Sequence, residues 1–322
     1  MPGPPLLEEI DGTRPPGPHP TTRSPPMFRT PVIREITAFV AVAFSLAIAV
    51  ATALPDAEIN MVLSVFIPAL TVAIMTFTVI PRGSRKELWR NFGLNKSGGS
   101  ALRPALTVPV VLLLLAYGAA VLTGVADFVS ITATPLGTAS WVVDLIVELG
   151  IGTLFILGEE IGWRGYLLPR MQQLTGMRRA ALLTGFIHGL FHLPLILIAT
   201  TYDADGARWI VAPAVVATIT LAGVFYAYLW DRSHSVWTVA VAHNAANTAF
   251  TLGATAVIAA NPDHLAYVAG ESGLATFGAV ALVATIYLLR ARVWRDNDKG
   301  AVHDTLHASR EVLHPEPVAA VR

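Results

Sequence analysis

The sequence has no cysteine. That excludes disulfides, thiolate zinc sites, iron–sulfur clusters and a cysteine nucleophile together. Charge is scarce as well: Asp, Glu, Lys and Arg make up 14% of the 322 residues, and 22 bases balance 22 acids. No net field is left to hold nucleic acid, so no such partner is expected. Apolar residues fill the chain instead, at 54% with a mean hydropathy of +0.58. A soluble domain carries about a quarter charged residues. Most of this chain therefore belongs in a lipid bilayer.

Proline crowds the first thirty residues, from Pro4 and Pro5 to Pro25 and Pro26. Such a stretch builds neither helix nor core, and residues 1–30 are expected to be a disordered cytosolic tail. No basic start leads into a short apolar core and a cleavage site, so no signal peptide is expected. Apolar runs then recur at the roughly 20-residue length that crosses a bilayer. Helices are predicted at 33–54, 59–80, 104–125, 140–161, 178–199, 209–230, 235–260 and 268–290. The fold class is all-α, a polytopic integral membrane protein of about eight transmembrane helices. One transmembrane domain is expected at 31–292, followed by a cytosolic tail at 293–322.

Bases orient the chain. Arg82, Arg85, Lys86, Arg90, Lys96 and Arg103 fill one loop, while 55–58 and 126–139 have none. The alternation continues to Arg290, Arg292 and Arg295. A multi-pass cell-membrane protein with both termini in the cytosol is the consistent reading. Residues 85–96 mix bases with Leu88, Trp89, Phe92 and Leu94, as a segment lying on the inner membrane surface would. A plain solvated loop is the alternative. Tyr226, Tyr228 and Trp230 read as an interfacial belt.

Within the fourth predicted helix stands Glu159-Glu160-Ile161-Gly162-Trp163-Arg164. A carboxylate at membrane depth costs a few kcal/mol or more. Arg164 lies one turn after Glu160 and can pair with it. Glu159 points about 100° away and is left for chemistry. A solvated helix end is the bland alternative. On the fifth helix, His188 and His192 share a face, and Gly185 and Gly189 allow close approach of another helix. Pro194 is expected to kink the helix beside His192. His188 reads first as a polar stitch between helices, and His192 as functional. On the seventh, His243 and Asn247 stand one turn apart among alanines.

Counted from their helix starts at about 1.5 Å per residue, these groups reach one depth in the cytosolic half of the bilayer. A carboxylate and an imidazole sharing a water can activate it against a carbonyl, while an imidazole and a carboxamide hold the oxyanion. Two imidazoles and a carboxylate can instead hold Zn²⁺ with an open position. Glu159, His192 and His243 are the candidate ligands, with His188 an outside candidate. The soluble zinc-protease motif H-E-x-x-H is absent.

Together these motifs resemble the CAAX-protease and bacteriocin-processing family of intramembrane proteases, which includes the type II CAAX prenyl endopeptidases. The family's E-E-x-x-x-R falls on Glu159 to Arg164, its second histidine motif on His188 to His192, and its H-x-x-x-N on His243 to Asn247. The resemblance covers about residues 140–250. It implies an endopeptidase with Glu159 as general base, with or without a metal, Glu160 and Arg164 shaping the site, His192 sharing the water, and His243 and Asn247 at the oxyanion. It implies a peptide or protein substrate, lipidated or membrane-bound. His188 departs from the pattern, because the family usually has phenylalanine or tryptophan there. Some members are non-catalytic partners or bacteriocin-immunity proteins. A transporter lined by the same groups is a further alternative, but no inverted repeat or broken-helix pair supports it. Asp144 and Glu148 are expected to line a polar path or the cavity wall.

Overall fold

The computed structural model describes residues 26–54, 57–129, 135–199, 205–290 and Trp294. The expected tails at 1–30 and 293–322 lie almost wholly outside these, as do parts of the loops at 126–139 and 200–208. Helices α1 (Pro26–Ala53) and α2 (Ala57–Thr78) form an antiparallel pair. A short α3 (Arg85–Arg90) leads to α4 (Leu102–Leu122). Next comes one long rod: α5 (Pro135–Val147), a π-helical turn at Glu148–Gly152, α6 (Thr153–Glu160), a second π segment at Ile161–Leu167, and α7 (Leu168–Thr175). The chain continues through α8 (Met177–Phe191), a π segment at Leu195–Ala199, α9 (Arg208–Ser233), α10 (Val236–Thr255), α11 (Pro262–Val268) and α12 (Leu274–Arg290). Asp127–Phe128 and Val257–Ile258 pair antiparallel, a minimal ribbon between two helix ends.

Six described helices are long and apolar enough to cross a bilayer, and Leu274–Leu289 is a shorter apolar one. Helix α10 has the length, at 20 residues, but carries His243, Asn244 and Asn247. Counting it gives the all-α, eight-helix polytopic fold expected. Large apolar side chains face outward, including Leu114, Ile146, Leu122 and Leu289, as lipid contact requires.

The fourth helix is longer than the predicted 140–161. It runs from Gly137 to Thr175, 39 residues. At about 1.5 Å per residue that is nearly twice the ~30 Å hydrocarbon core. Glu159 and Glu160 thus sit inside a continuous helix, not at its end. The apolar run ends at the acid pair but the helix does not, and the glycines beside the pair are packing points. A Cβ on Gly158 would stand 3.0 Å from the Val65 carbonyl oxygen, and one on Gly162 would collide with Pro68. They let α2 press against the rod at the site.

The small residues on α8 act as expected. A Cβ on Gly185 would lie 2.5 Å from the Thr220 carbonyl oxygen, and one on Gly189 2.8 Å from that of Val216. Helices α8 and α9 pack backbone to backbone there. The segment after α2 is tied to the core through buried Leu88 and Phe92, with Trp89 edge-on to Phe92.

Candidate active site

The site is assembled by α6 with its π extension, α8 and α10, and α2 covers it. Adjacent carboxylates diverge from α6 to different helices. Glu160 Oε1 accepts from Arg164 Nη1 at 2.9 Å and from His243 Nδ1 at 2.7 Å. Glu159 Oε2 accepts from His188 Nε2 at 2.8 Å and from the Trp163 indole at 3.4 Å. Arg164 Nη1 also reaches His188 Nδ1, at 3.3 Å. His192 Nδ1 lies 3.1 Å from the His188 carbonyl oxygen, one turn back on its own helix. All seven side chains are buried. In a low-dielectric interior, each polar atom needs such a partner.

A cavity of about 260 Å³ opens onto this cluster. Glu159, His192, His243 and Asn247 line it, with Glu148 further along. Its remaining walls are mostly apolar, including Met61, Phe155, Phe191 and Leu195, with Ser64 and Asn244 among them. The structure therefore brings together all six of the expected groups, through Glu160, Arg164 and the lining residues Glu159, His192, His243 and Asn247. Asn247 faces the cavity from an exposed position on α10. Glu148 shares the cavity with Glu159, whereas Asp144 is exposed and not among its lining residues.

The closest donor set differs in one member from the expected metal ligands. Ligand atoms of Glu159, His188 and His192 lie within 4.8 Å of one another, a group compact enough to hold a metal ion. His243 Nδ1 is engaged by Glu160. His188 is at the centre of the cluster, bonded across helices as a polar stitch would be.

Three further residues complete the site and were not singled out for it by sequence. Trp163 stacks near His188, with centroids 4.9 Å apart, and donates to Glu159. Tyr226 is no interfacial belt residue: it is buried, stacked on His243 at 5.2 Å, with the Arg164 guanidinium 4.8 Å above its ring. One turn later Trp230 is buried too, because this face of α9 packs inward. Asn244 donates from Nδ2 to the Glu148 carbonyl at 2.7 Å and to Thr153 Oγ1 at 3.3 Å. It thereby satisfies backbone freed by the π turn at 148–152. Its signal was only its place beside His243.

Comparison with known proteins bears on the same stretch of chain. Residues 140–249 match the family model described as type II CAAX prenyl endopeptidase Rce1-like. That segment is similar to the CAAX-protease family. The match begins in α5 and ends in α10, spanning every helix that supplies a polar group to the cluster. A curated relative, CAAX prenyl protease 2 of Methanococcus maripaludis, is 28% identical over 145 residues, 44% of this chain. The aligned part is about half of that relative, 53% of its length. Helices α1 and α4 lie outside the family match, yet α4 packs along α10.

Proposed function

We propose that the chain is an intramembrane endopeptidase that hydrolyses a peptide bond near the cytosolic membrane face. The observation that carries this reading is the division of labour on Glu159. Its Oε2 takes both protein donors, at 2.8 and 3.4 Å, which leaves Oε1 for a water in the cavity. His192 faces the same cavity. Its Nδ1 lies 3.1 Å from the His188 carbonyl oxygen, a contact that fixes the ring at the cavity wall.

The step follows from these roles. Glu159 removes a proton as the water oxygen attacks the peptide carbonyl, and His192 holds the water in line. The carbonyl oxygen becomes negative and takes hydrogen bonds from the Asn247 amide and from His243 when Nε2 carries a proton. Glu160 keeps His243 oriented through Nδ1. Collapse breaks the C–N bond, and the proton held by Glu159 passes to the departing amine. The substrate class follows the relative's name, a prenylated C-terminal peptide, and the apolar cavity walls Met61, Phe155 and Leu195 suit a lipidated tail.

The test uses purified protein in liposomes and a fluorogenic farnesylated C-terminal peptide. Glu159→Gln and His192→Ala are expected to lose at least about 10²-fold in kcat, the usual contribution of a positioned acid–base group. Both should still accumulate in membranes. Full activity in either variant would sink the roles assigned. Absence of cleavage by the unmodified chain, with the relative's peptide and its unprenylated form, would favour a non-catalytic membrane partner. Orientation is tested separately. The chain has no cysteine, so a single cysteine at Ser84 should react only with reagent on the cytosolic side.

A further inference from the structure

His188 sits between two groups that fix where its proton lies. Arg164 Nη1, 3.3 Å from Nδ1, can only donate. Nδ1 must therefore accept, and in the neutral ring the proton sits on Nε2. That proton points at Glu159 Oε2, 2.8 Å away. A second proton on Nδ1 would face the guanidinium N–H directly. The geometry also argues against a metal between these atoms. Two ligand atoms of a tetrahedral zinc, each about 2.0–2.1 Å from the ion, stand about 3.3 Å apart. The observed 2.8 Å is a hydrogen-bond length.

We infer that His188 is a positioning residue, locked by Arg164 as the Nε2–H tautomer, that holds Oε2 of Glu159 and takes no part in metal binding. The compact Glu159–His188–His192 set thus does not fit a metal ion as it stands, because one of its three lone pairs is occupied by a proton. Arg164 acts on Glu159 through an imidazole, although the two are five residues apart on one helix. Trp163 lies against the ring, with centroids 4.9 Å apart and planes tilted by 31°, and limits its rotation. A rigid Oε2 contact aims Oε1 at the water, and that consequence rests on the hydrolase reading above.

The proton position can be read without any activity. Protein carrying nitrogen-15 histidine is reconstituted in bilayers, and solid-state NMR spectra of the unmodified chain and of His188→Gln are subtracted. The signal lost in the variant is expected to be a neutral Nε2–H ring, unmoved by added Zn²⁺. An Nδ1–H ring, or a shift to a metal-bound position with zinc, would overturn the inference. In the peptide assay, His188→Gln is expected to keep kcat, because its amide can accept from Arg164 and donate to Glu159 as the imidazole does. His188→Phe should lose about 10²-fold in kcat with KM little changed, the cost of misplacing a reacting group by about 1 Å. A Gln variant as inactive as the Phe variant, with reduced zinc content, would identify a ligand instead. If the unmodified chain cleaves no peptide, the hydrolase reading fails, while the NMR result still decides the tautomer.

Discussion

Arg164 offers the sharpest test of what holds the site together. It is 1% exposed and its partner Glu160 is 0% exposed, joined at 2.9 Å. Replacing it by methionine keeps most of the apolar stem and removes the charge. Glu160 then remains buried with a single donor, His243, and His188 Nδ1 loses its donor as well. Breaking a buried ion pair by removing one partner costs about 3–5 kcal/mol, because the survivor is left uncompensated. Arg164→Met is therefore expected to lower unfolding free energy by about that amount. The measure is reversible unfolding in mixed micelles as denaturing detergent is titrated in.

The companion variant supplies the control. Glu160→Gln in the Arg164→Met background removes the stranded charge, so the second change should restore part of the loss. A double-mutant cycle should show coupling of roughly 2–3 kcal/mol. Arg170 gives the contrast: it bonds Glu35 at 2.6 Å, but the pair is 13% and 22% exposed. Arg170→Gln should cost at most about 1 kcal/mol, as for partly solvated pairs. A loss below about 1 kcal/mol for Arg164→Met, or simple additivity with Glu160→Gln, would refute the view that this ion pair supports the site.

Three other outcomes are expected. Gly185→Ala should destabilise by about 1–3 kcal/mol through overpacking against the Thr220 carbonyl, whereas Gly118→Ala, with open space around the added methyl, should be neutral or mildly stabilising; thermal unfolding of both compares them. Asn244→Leu should cost about 1–3 kcal/mol by leaving the Glu148 carbonyl unpaired, and should slow cleavage because the π turn it steadies precedes Glu159 on the same rod; a variant with unchanged stability and rate would contradict this. His234, at the turn between α9 and α10, is held below its ordinary value of 6.5 by burial and then by Lys96. A depressed folded-state value means the unfolded chain binds more protons, so this contribution is full above about pH 6.5 and falls as pH drops below it. Unfolding free energy measured from pH 7.5 to 5.5 should decline less in His234→Asn than in the unmodified chain.

Much of this was legible from residue spacing. The Glu160–Arg164 pair follows from one helical turn, and the face shared by His188 and His192 follows from the same period. Depth brought His192, His243 and Asn247 toward Glu159 before any coordinates. The extent of the fourth helix was not legible, because its apolar run ends at the acid pair, among Gly158, Gly162 and Gly165, while the helix continues. Only the position of Pro68 and the Val65 carbonyl shows them to be contact points. Tyr226 was misplaced for a related reason. An aromatic near a helix end fits both a membrane interface and a site floor, and the choice depends on how α9 is turned. Asn244 lies about 100° round the helix from His243, so no shared-face argument reaches it. Its partner is a backbone carbonyl exposed by a π turn, which side-chain patterning does not reveal.

The two adjacent acids make physical sense only when traced through the guanidinium. Neighbouring residues on a helix point about 100° apart, so Glu159 and Glu160 are directed to different helices, α8 and α10. One nitrogen, Arg164 Nη1, serves both branches. Along one branch it fills Nδ1 of His188 and so sends the Nε2 proton to Glu159. Along the other it shares Oε1 of Glu160, which takes the Nδ1 proton of His243. A single fixed cation thus sets the proton positions on two imidazoles that meet ring to ring at 5.6 Å. Lysine in its place would supply charge on a flexible stem, without the planar guanidinium whose fork fixes both Nη1 N–H directions at once. Where no bulk water can correct a misplaced proton, that fork is what makes an acid pair followed at four residues by arginine, rather than any other base, the organising element of the chain.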